Sequence, residues 1–407
     1  MIAVQSKVPT LRFPEFEGEW NQHKLEDFLD EYIEKVPAKT EMPVLTSSRT
    51  GLRLQRDYFN NRELDNEGEY KVVPKGYMTY RHMSDDATFK FNINNLVDRG
   101  AISKEYPVFT TKNLDSFFLQ QLLNQGNDFK EFAILQKQGG TRTRLYFKKL
   151  KSFITYLPSL PEQQKIVAFL TAIDAKTELI AKKKTLLEQY KKGVMQQIFS
   201  QEIRFKDDNG NDFPDWEEKR LGELFTITSS KRVFESEWTK NGVPFYRTRE
   251  IVQLSETGIV KNELFISVEM FNQYKLKYGV PKKDDLLVTG VGTIGRVYVV
   301  KEADHFYFKD GNIIWLKTLN KVNSIFVEQL FKTKIIQKQI ENNASITTVG
   351  TYTIDFAKKT KLPYPSLPEQ LKISNFLTAI DAKINAVDQH LRYIKIYRKA
   401  LFQQLFV

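Results

Sequence analysis

Pro158-Ser-Leu-Pro-Glu-Gln-Gln-Lys-Ile-Val-Ala-Phe-Leu-Thr-Ala-Ile-Asp-Ala-Lys176 returns as Pro365-Ser-Leu-Pro-Glu-Gln-Leu-Lys-Ile-Ser-Asn-Phe-Leu-Thr-Ala-Ile-Asp-Ala-Lys383. Only Gln164, Val167 and Ala168 change, to Leu371, Ser374 and Asn375. The match runs on through Tyr190 and Tyr397, Gln196-Gln197 and Gln403-Gln404, and Phe199 and Phe406. About half the positions agree over ~40 residues, more than shared helical composition would give.

Each copy reads as a long helix. Pro161 and Pro368 suit a first turn, where no amide hydrogen is needed, and Glu162 and Glu369 suit the positive end of the helix dipole. In the second copy Ile373, Leu377, Ile380, Ile384, Val387, Leu391, Ile394, Leu401 and Leu405 alternate by fours and threes, broken at Arg398. The first copy runs Ile166, Leu170, Ile173, Ile180, Leu187, Val194 and Ile198, with polar Thr177, Lys184 and Lys191 on the same seam. Heptads of this length need a partner helix, and each copy is the obvious partner for the other. At ~1.5 Å per residue each helix spans roughly 55 Å. The polar seam positions leave open whether the first copy faces the second or another subunit.

A weaker repeat precedes each helix. Arg12-Phe-Pro-Glu-Phe16 leads to Trp20 and Leu25; Asp212-Phe-Pro-Asp-Trp216 leads to Leu221-Gly-Glu-Leu-Phe225; Val73-Pro-Lys75 resembles Val280-Pro-Lys282. The chain therefore divides into a first globular domain (1–156), a long helix (157–200), a second globular domain (201–363) and a second long helix (364–407). The expected fold is mixed α/β (α+β): two similar domains joined by two antiparallel coiled-coil helices with pseudo-twofold symmetry.

Within the domains, 285–289, 296–300 and 312–316 read as strands and 325–340 as one amphipathic helix. In the first domain 113–125 reads as the matching helix, with short strands at 145–147 and near Phe153.

A chain of 407 residues carrying a net charge of +11 favours a polyanionic partner. Basic and hydroxyl residues cluster in polar loops. Ser47, Ser48 and Arg49 lie in Thr46-Ser-Ser-Arg-Thr-Gly51, followed by Arg53 and Arg56; Tyr80 and Arg81 precede His82; Arg142 and Arg144 end Gly139-Gly-Thr-Arg-Thr-Arg144. In the second domain Ser229, Ser230, Lys231 and Arg232 form one run and Arg247 and Arg249 another. Thr293 and Arg296 lie in or beside a glycine-rich turn, and Thr347 and Thr348 end Ser345-Ile-Thr-Thr348. Arginine and lysine can reach guanine edges, and hydroxyls can position phosphates.

Motifs for catalysis are missing. Gly290-Val-Gly-Thr-Ile-Gly295 matches the dinucleotide fingerprint, but strand-like Arg296–Val300 follows it where a helix is required, so it reads as a hairpin turn. Asp215, Glu217 and Lys219 resemble a nuclease set, but the first copy lacks the lysine, and the segment reads as a structural lead-in. His23, His82, His305 and His390 have no metal-ligand spacing, and no serine elbow or phosphate loop occurs. No cysteine is present, which fits a reducing cytoplasm. Met1–Thr10 lacks a signal-peptide core.

The Leu-Pro-Glu-Gln helix start, the duplicated Phe-Leu-Thr-Ala-Ile-Asp-Ala-Lys run and the Phe213–Trp216 lead-in resemble the specificity subunit of type I restriction-modification enzymes over essentially the whole chain. The resemblance implies a non-catalytic DNA-binding subunit whose two target-recognition domains each read half of a bipartite double-stranded site, with the helices setting the spacer. It implies two methyltransferase subunits as partners, and restriction subunits in the full complex. S-adenosylmethionine, ATP and Mg would belong to those partners, with no cofactor in this chain. Two other readings stand beside it. A stand-alone DNA-binding regulator would not co-purify with methyltransferase subunits, and a nuclease on a coiled coil would cut DNA alone.

Overall fold

The computed structural model describes residues 8–37, 39–60, 68–137, 141–261, 264–344 and 350–407. They fall into two compact units, one of residues 1–181 with 389–407, the other of residues 182–388. The boundaries cut through both long helices, Leu160–Phe199 and Leu367–Leu405, rather than falling at their ends. Each half-helix packs against the globular residues nearest to it, so sequence blocks and packing blocks differ.

The units repeat one frame. In the first, strand Leu29–Glu31 pairs with Val108–Thr111, which pairs with Met78–Tyr80, which pairs with Phe91–Ile93, all antiparallel. In the second, Phe225–Thr228, Ile313–Thr318, Leu286–Thr289 and Val297–Val299 form an antiparallel sheet in the same order. Asn21–Lys24 pairs with Ile154–Leu157 as Glu217–Arg220 pairs with Lys361–Tyr364. Between matched strands the units differ. The first inserts a sheet of Lys35–Pro37, Glu69–Pro74 and Arg99–Ser103 with a hairpin, Leu45–Ser48 and Gly51–Leu54. The second inserts a sheet of Trp238–Thr239, Phe265–Ile266, Val243–Tyr246 and Tyr307–Phe308.

Two of the expected elements need correction, 325–340 and 145–147. Residues 325–340 form two helices, Ser324–Phe331 and Lys334–Ala344, because the chain turns where the Thr333 amide and hydroxyl both bond Leu330 O. Phe326, Leu330, Ile336 and Ile340 still reach one core. The matching helix is Ser116–Gln125, capped by Asp115, with a second helix Asn127–Leu135 after it. Residues 145–147 are not a strand: the strand is Thr143–Arg144, and Phe147 and Leu150, one turn apart, put both side chains into the core from helix Phe147–Lys151. The Gly290–Gly295 segment is the turn between paired strands, as its sequence indicated.

The long helices run antiparallel within each unit. In the second unit Lys184 Nζ meets Asp388 at 2.5 Å and Lys191 Nζ meets Asp381 at 2.7 Å, so one heptad up the first helix is one heptad down the other. In the first unit Arg398 binds Asp174, and these are the duplicated counterparts of Lys191 and Asp381. The charged seam positions Lys184, Lys191 and Arg398 are thus answered by acids of the facing helix, while Thr177 bonds the Ile173 carbonyl of its own helix. Apolar seam residues join the domain cores: Ile166 and Leu170 with Leu401 and Leu405, and Ile198 with Ile373, Leu377 and Ile380. Ile180, Leu187, Val387 and Leu391 are half-buried mid-helix.

Lys191 and Arg398 also hold their domains. Lys191 donates to Gln329 at 3.0 Å, and Arg398 donates to the corresponding Gln121 and to Gln125, both at 2.7 Å. Lys191→Met should therefore lower stability by about 1–3 kcal/mol, the cost of unpaired groups in a part-buried site. Lys191→Arg, which copies the other unit, should match the wild type; urea midpoints of the two variants check both outcomes.

The repeated Leu-Pro-Glu-Gln segment is a latch. Buried Glu162 accepts from Arg12 Nε and Nη2 at 2.8 Å and from Trp20 Nε1 at 3.3 Å. Buried Glu369 accepts from Arg204 at 2.9 and 3.2 Å and from Trp216 Nε1 at 3.0 Å. Gln163 receives the Asp115 amide and Gln370 the Asn323 amide, both at 2.9 Å, so each glutamine fixes the residue capping its domain helix. This corrects the lead-in alignment. Arg12-Phe13 corresponds to Arg204-Phe205, and Trp20 to Trp216, with extra residues in the second copy. The Leu11 amide bonds Gln404 O as the Ile203 amide bonds Gln197 O.

Candidate nucleic-acid interface

In the first unit the candidates Ser47, Ser48, Arg49 and Arg81 line a cleft of about 490 Å³, and Arg53, Arg56, Arg142 and Arg144 lie outside its lining. Thr46, Ser47, Ser48 and Arg49 of the hairpin line one side, and Arg81, Ser84, Asp85 and Tyr106 line others. Arg49 Nη2 meets Asp86 at 2.7 Å, and Arg142 Nε meets Asp85 at 2.9 Å. Asp86 also accepts from Ser84 Oγ at 2.7 Å and the Thr88 amide at 3.0 Å. Those two bonds, with Arg49, hold its carboxyl well below the usual range. Lys90 lines the same cleft; burial, then the charge of Arg398, lowers its ammonium pKa.

Arg53, Arg56, Arg81 and Arg144 are exposed. Ser47 is buried and accepts from Asn92. Tyr80 is corrected from contact residue to core. Its ring is fully buried and its hydroxyl donates to Leu145 O at 2.9 Å, which leaves nothing for a ligand to touch.

In the second unit the candidates disperse. Ser229 Oγ donates to Ile313 O and Ser230 Oγ to Phe308 O, which tie the run to the sheet. Lys231 Nζ lies 5.6 Å over the Tyr278 ring, and Arg232 meets Asp310 at 2.9 Å. Arg247 and Arg249 both bind Glu250 at the start of helix Thr248–Thr257. Burial works against the Glu250 charge, yet bonds chiefly from Arg247 lower its pKa overall. Thr293 and Arg296 are exposed on a separate cleft of about 430 Å³. Thr347, Thr348 and Gly139 lie outside the described residues. The two Thr-Ser-Ser runs are not duplicates: one is a hairpin strand, the other continues a central-sheet strand.

Sequence reading missed Asp85, Asp86 and Asp310 as partners of the arginines, since no spacing ties them together along the chain. Among the exposed apolar side chains on the long helices are Leu186 and Tyr190 in the second unit and Tyr393 and Tyr397 in the first, of which the sequence marked only Tyr190 and Tyr397, as repeated positions. The four are duplicated positions one turn apart, pointing away from the seam. Among the described residues no group of three or more metal-ligating side chains occurs, and no helix is long and apolar enough to cross a membrane.

The sequence profile of the type I restriction modification DNA specificity domain matches residues 18–189 and 214–394. The chain is 25% identical over 324 residues to the type I restriction enzyme MjaVIII specificity subunit of Methanocaldococcus jannaschii, covering 75% of this chain and 73% of that one. It is 30% identical over 173 residues to a putative type I restriction enzyme specificity subunit of Haemophilus influenzae, where the match spans 42% of each chain. The crystal structure of the type I restriction-modification S subunit from M. genitalium superposes with a TM-score of 0.58 at 17% identity, covering 98% of this chain and 99% of that one. A chain from a structure of type I complex assembly and conformational transition gives a TM-score of 0.55 at 15% identity over 95% and 97%.

Proposed function

The chain belongs to the type I restriction-modification DNA specificity family, and from that premise we propose that each unit reads one half of a split double-stranded DNA site. The observation that carries this reading is the duplicated frame around two unlike insertions. A shared frame presents two heads to one kind of target, and unlike insertions give each head its own sequence. The net charge of +11 supplies the attraction to phosphate.

The long helices set the spacer between the half-sites. A matched heptad inserted into both helices, at the Ala181–Lys182 and Asp388–Gln389 junctions, preserves the seam and adds about 10 Å. The spacer in the methylated motif should then grow by about three base pairs at ~3.4 Å each. Methylome sequencing of a host carrying the variant reads this directly, and an unchanged spacer would reject the ruler.

Two methyltransferase subunits dock on the frame, one at Leu186 and Tyr190 and one at Tyr393 and Tyr397. Two equivalent exposed apolar pairs on a charged helix surface suit two copies of one partner. The chain supplies recognition, not catalysis. S-adenosylmethionine, ATP and Mg act on the methyltransferase and restriction subunits, and the assembly works in the cytoplasm.

A further inference from the structure

The first unit keeps polar side chains buried where the second keeps apolar ones. Thr79 and Asn92 are opposed on neighbouring strands of the central sheet; the matching positions hold Leu287 and Tyr298. A buried amide costs stability unless its hydrogen bonds are made. Those of Asn92 go to the inserted hairpin: Nδ2 donates to Ser47 Oγ at 2.8 Å and to Ser48 O at 3.1 Å.

The hairpin tip is also fixed. Ser48 Oγ donates to Gly51 O at 2.7 Å and accepts the Thr50 amide at 3.2 Å, and Gly51 sits at φ +127°, a conformation that excludes a side chain. Arg49, on this tip, is exposed over the cleft yet tied to Asp86, which two further bonds immobilise. The Arg49–Asp86 pair is exposed on both sides, so it orients the guanidinium over the cleft rather than locking it, and the fixed hairpin beneath lowers the freedom lost on binding. The remaining donors of Arg49 keep the fork geometry that matches guanine O6 and N7.

The seat of the hairpin continues into the frame. The Phe91 amide donates to Asn124 Oδ1 at 2.9 Å, and Asn124 Nδ2 donates to Phe91 O at 3.0 Å. Asn124 belongs to the helix that Arg398 binds through Gln121 and Gln125.

We infer that Arg49 is the specificity-determining residue of the first unit, reading a base edge, and that Asn92 is the positioning residue that holds its hairpin in place. The inference rests on the half-site reading above and adds which element does the reading.

The test is a methylation profile of the reconstituted complex, chain plus methyltransferase subunits, on a DNA library randomised in both half-sites. Arg49→Ala should lower discrimination roughly 5- to 150-fold at one position of the first half-site and leave the second half-site unchanged. Arg49→Lys keeps the charge without the fork and should not restore it. Asn92→Ala should relax the same position, and the double variant should be no worse than Arg49→Ala. Ser47→Ala, which removes one of the two Asn92 bonds with little loss of packing, should give a smaller shift of the same kind should Asn92→Ala fold poorly.

An even loss of affinity across all sequences in Arg49→Ala, or rescue by lysine, would overturn the assignment in favour of a phosphate contact. Equal relaxation of both half-sites in Asn92→Ala or Ser47→Ala would overturn the positioning role. A wild-type complex with no two-part preference would refute the half-site reading itself, a result distinct from either.

Discussion

Glu369→Ala should lower the stability of the second unit by about 3–5 kcal/mol, the cost of breaking a buried ion pair from one side. The substitution takes the buried carboxylate from the Arg204 guanidinium, which keeps the Phe213 and Pro214 carbonyls and the exposed Asp215, and leaves the Trp216 indole without an acceptor. Such a loss is a large part of the ~5–15 kcal/mol that holds a typical domain folded. Glu369→Gln retains one oxygen acceptor and the side-chain shape, so about half that loss is expected. Glu162→Ala should do the same to the first unit through Arg12 and Trp20. Urea unfolding followed by tryptophan fluorescence separates the outcomes once Trp238 and Trp315 are replaced by Phe in the background, so that Trp20 and Trp216 each report on their own latch. A midpoint within experimental error of the wild type for either alanine variant would show that the latch is ornamental.

Charging the exposed helix pairs should remove partners one at a time. Leu186→Asp with Tyr190→Asp should leave one methyltransferase subunit per chain, Tyr393→Asp with Tyr397→Asp should leave the other, and all four together should leave none. A carboxylate forced into an apolar contact is costly unless paired, and truncating anchor residues of this kind costs ~2 kcal/mol or more apiece. The affected site should therefore weaken by a factor of at least about a thousand. All four side chains face solvent, so the chain itself should stay folded. Mass measurement of the assembled complex counts the subunits; full stoichiometry in the fourfold variant would place the docking surface elsewhere.

The helices were the most legible part of the chain because duplication and heptad spacing report the same thing independently. The latch was half legible. Glu162 and Glu369 stood out as repeated, but their role looked like dipole compensation until Arg12, Trp20, Arg204 and Trp216 came to meet them. The extra residues between Arg204 and Trp216 put Phe-Pro-Asp-Trp, rather than Arg204-Phe205, in register with the Phe-Pro-Glu-Phe of the first copy. Domain interiors were less legible, since Leu287 and Tyr298 replace Thr79 and Asn92 at matched sheet positions and only the strand order survives. Short helices were misread where apolar spacing was brief, as at Phe147 and Leu150. Contact residues were the least legible. An exposed arginine such as Arg53 and a pinned one such as Arg49 look alike in sequence, and what separates them is a carboxylate far along the chain.

The Leu11 amide meets the last turn of the second long helix as the Ile203 amide meets the last turn of the first. In one place a short stretch of backbone links the two groups; in the other, packing and a hydrogen bond do so with no direct peptide connection. Gene order is therefore separable from spatial order here. A chain in which the block from Gln201 onward preceded the block of residues 8–200 would draw on the same contacts with its segments in rotated order. A gene encoding just one head and one rod would already specify every kind of joint that the two-headed version uses.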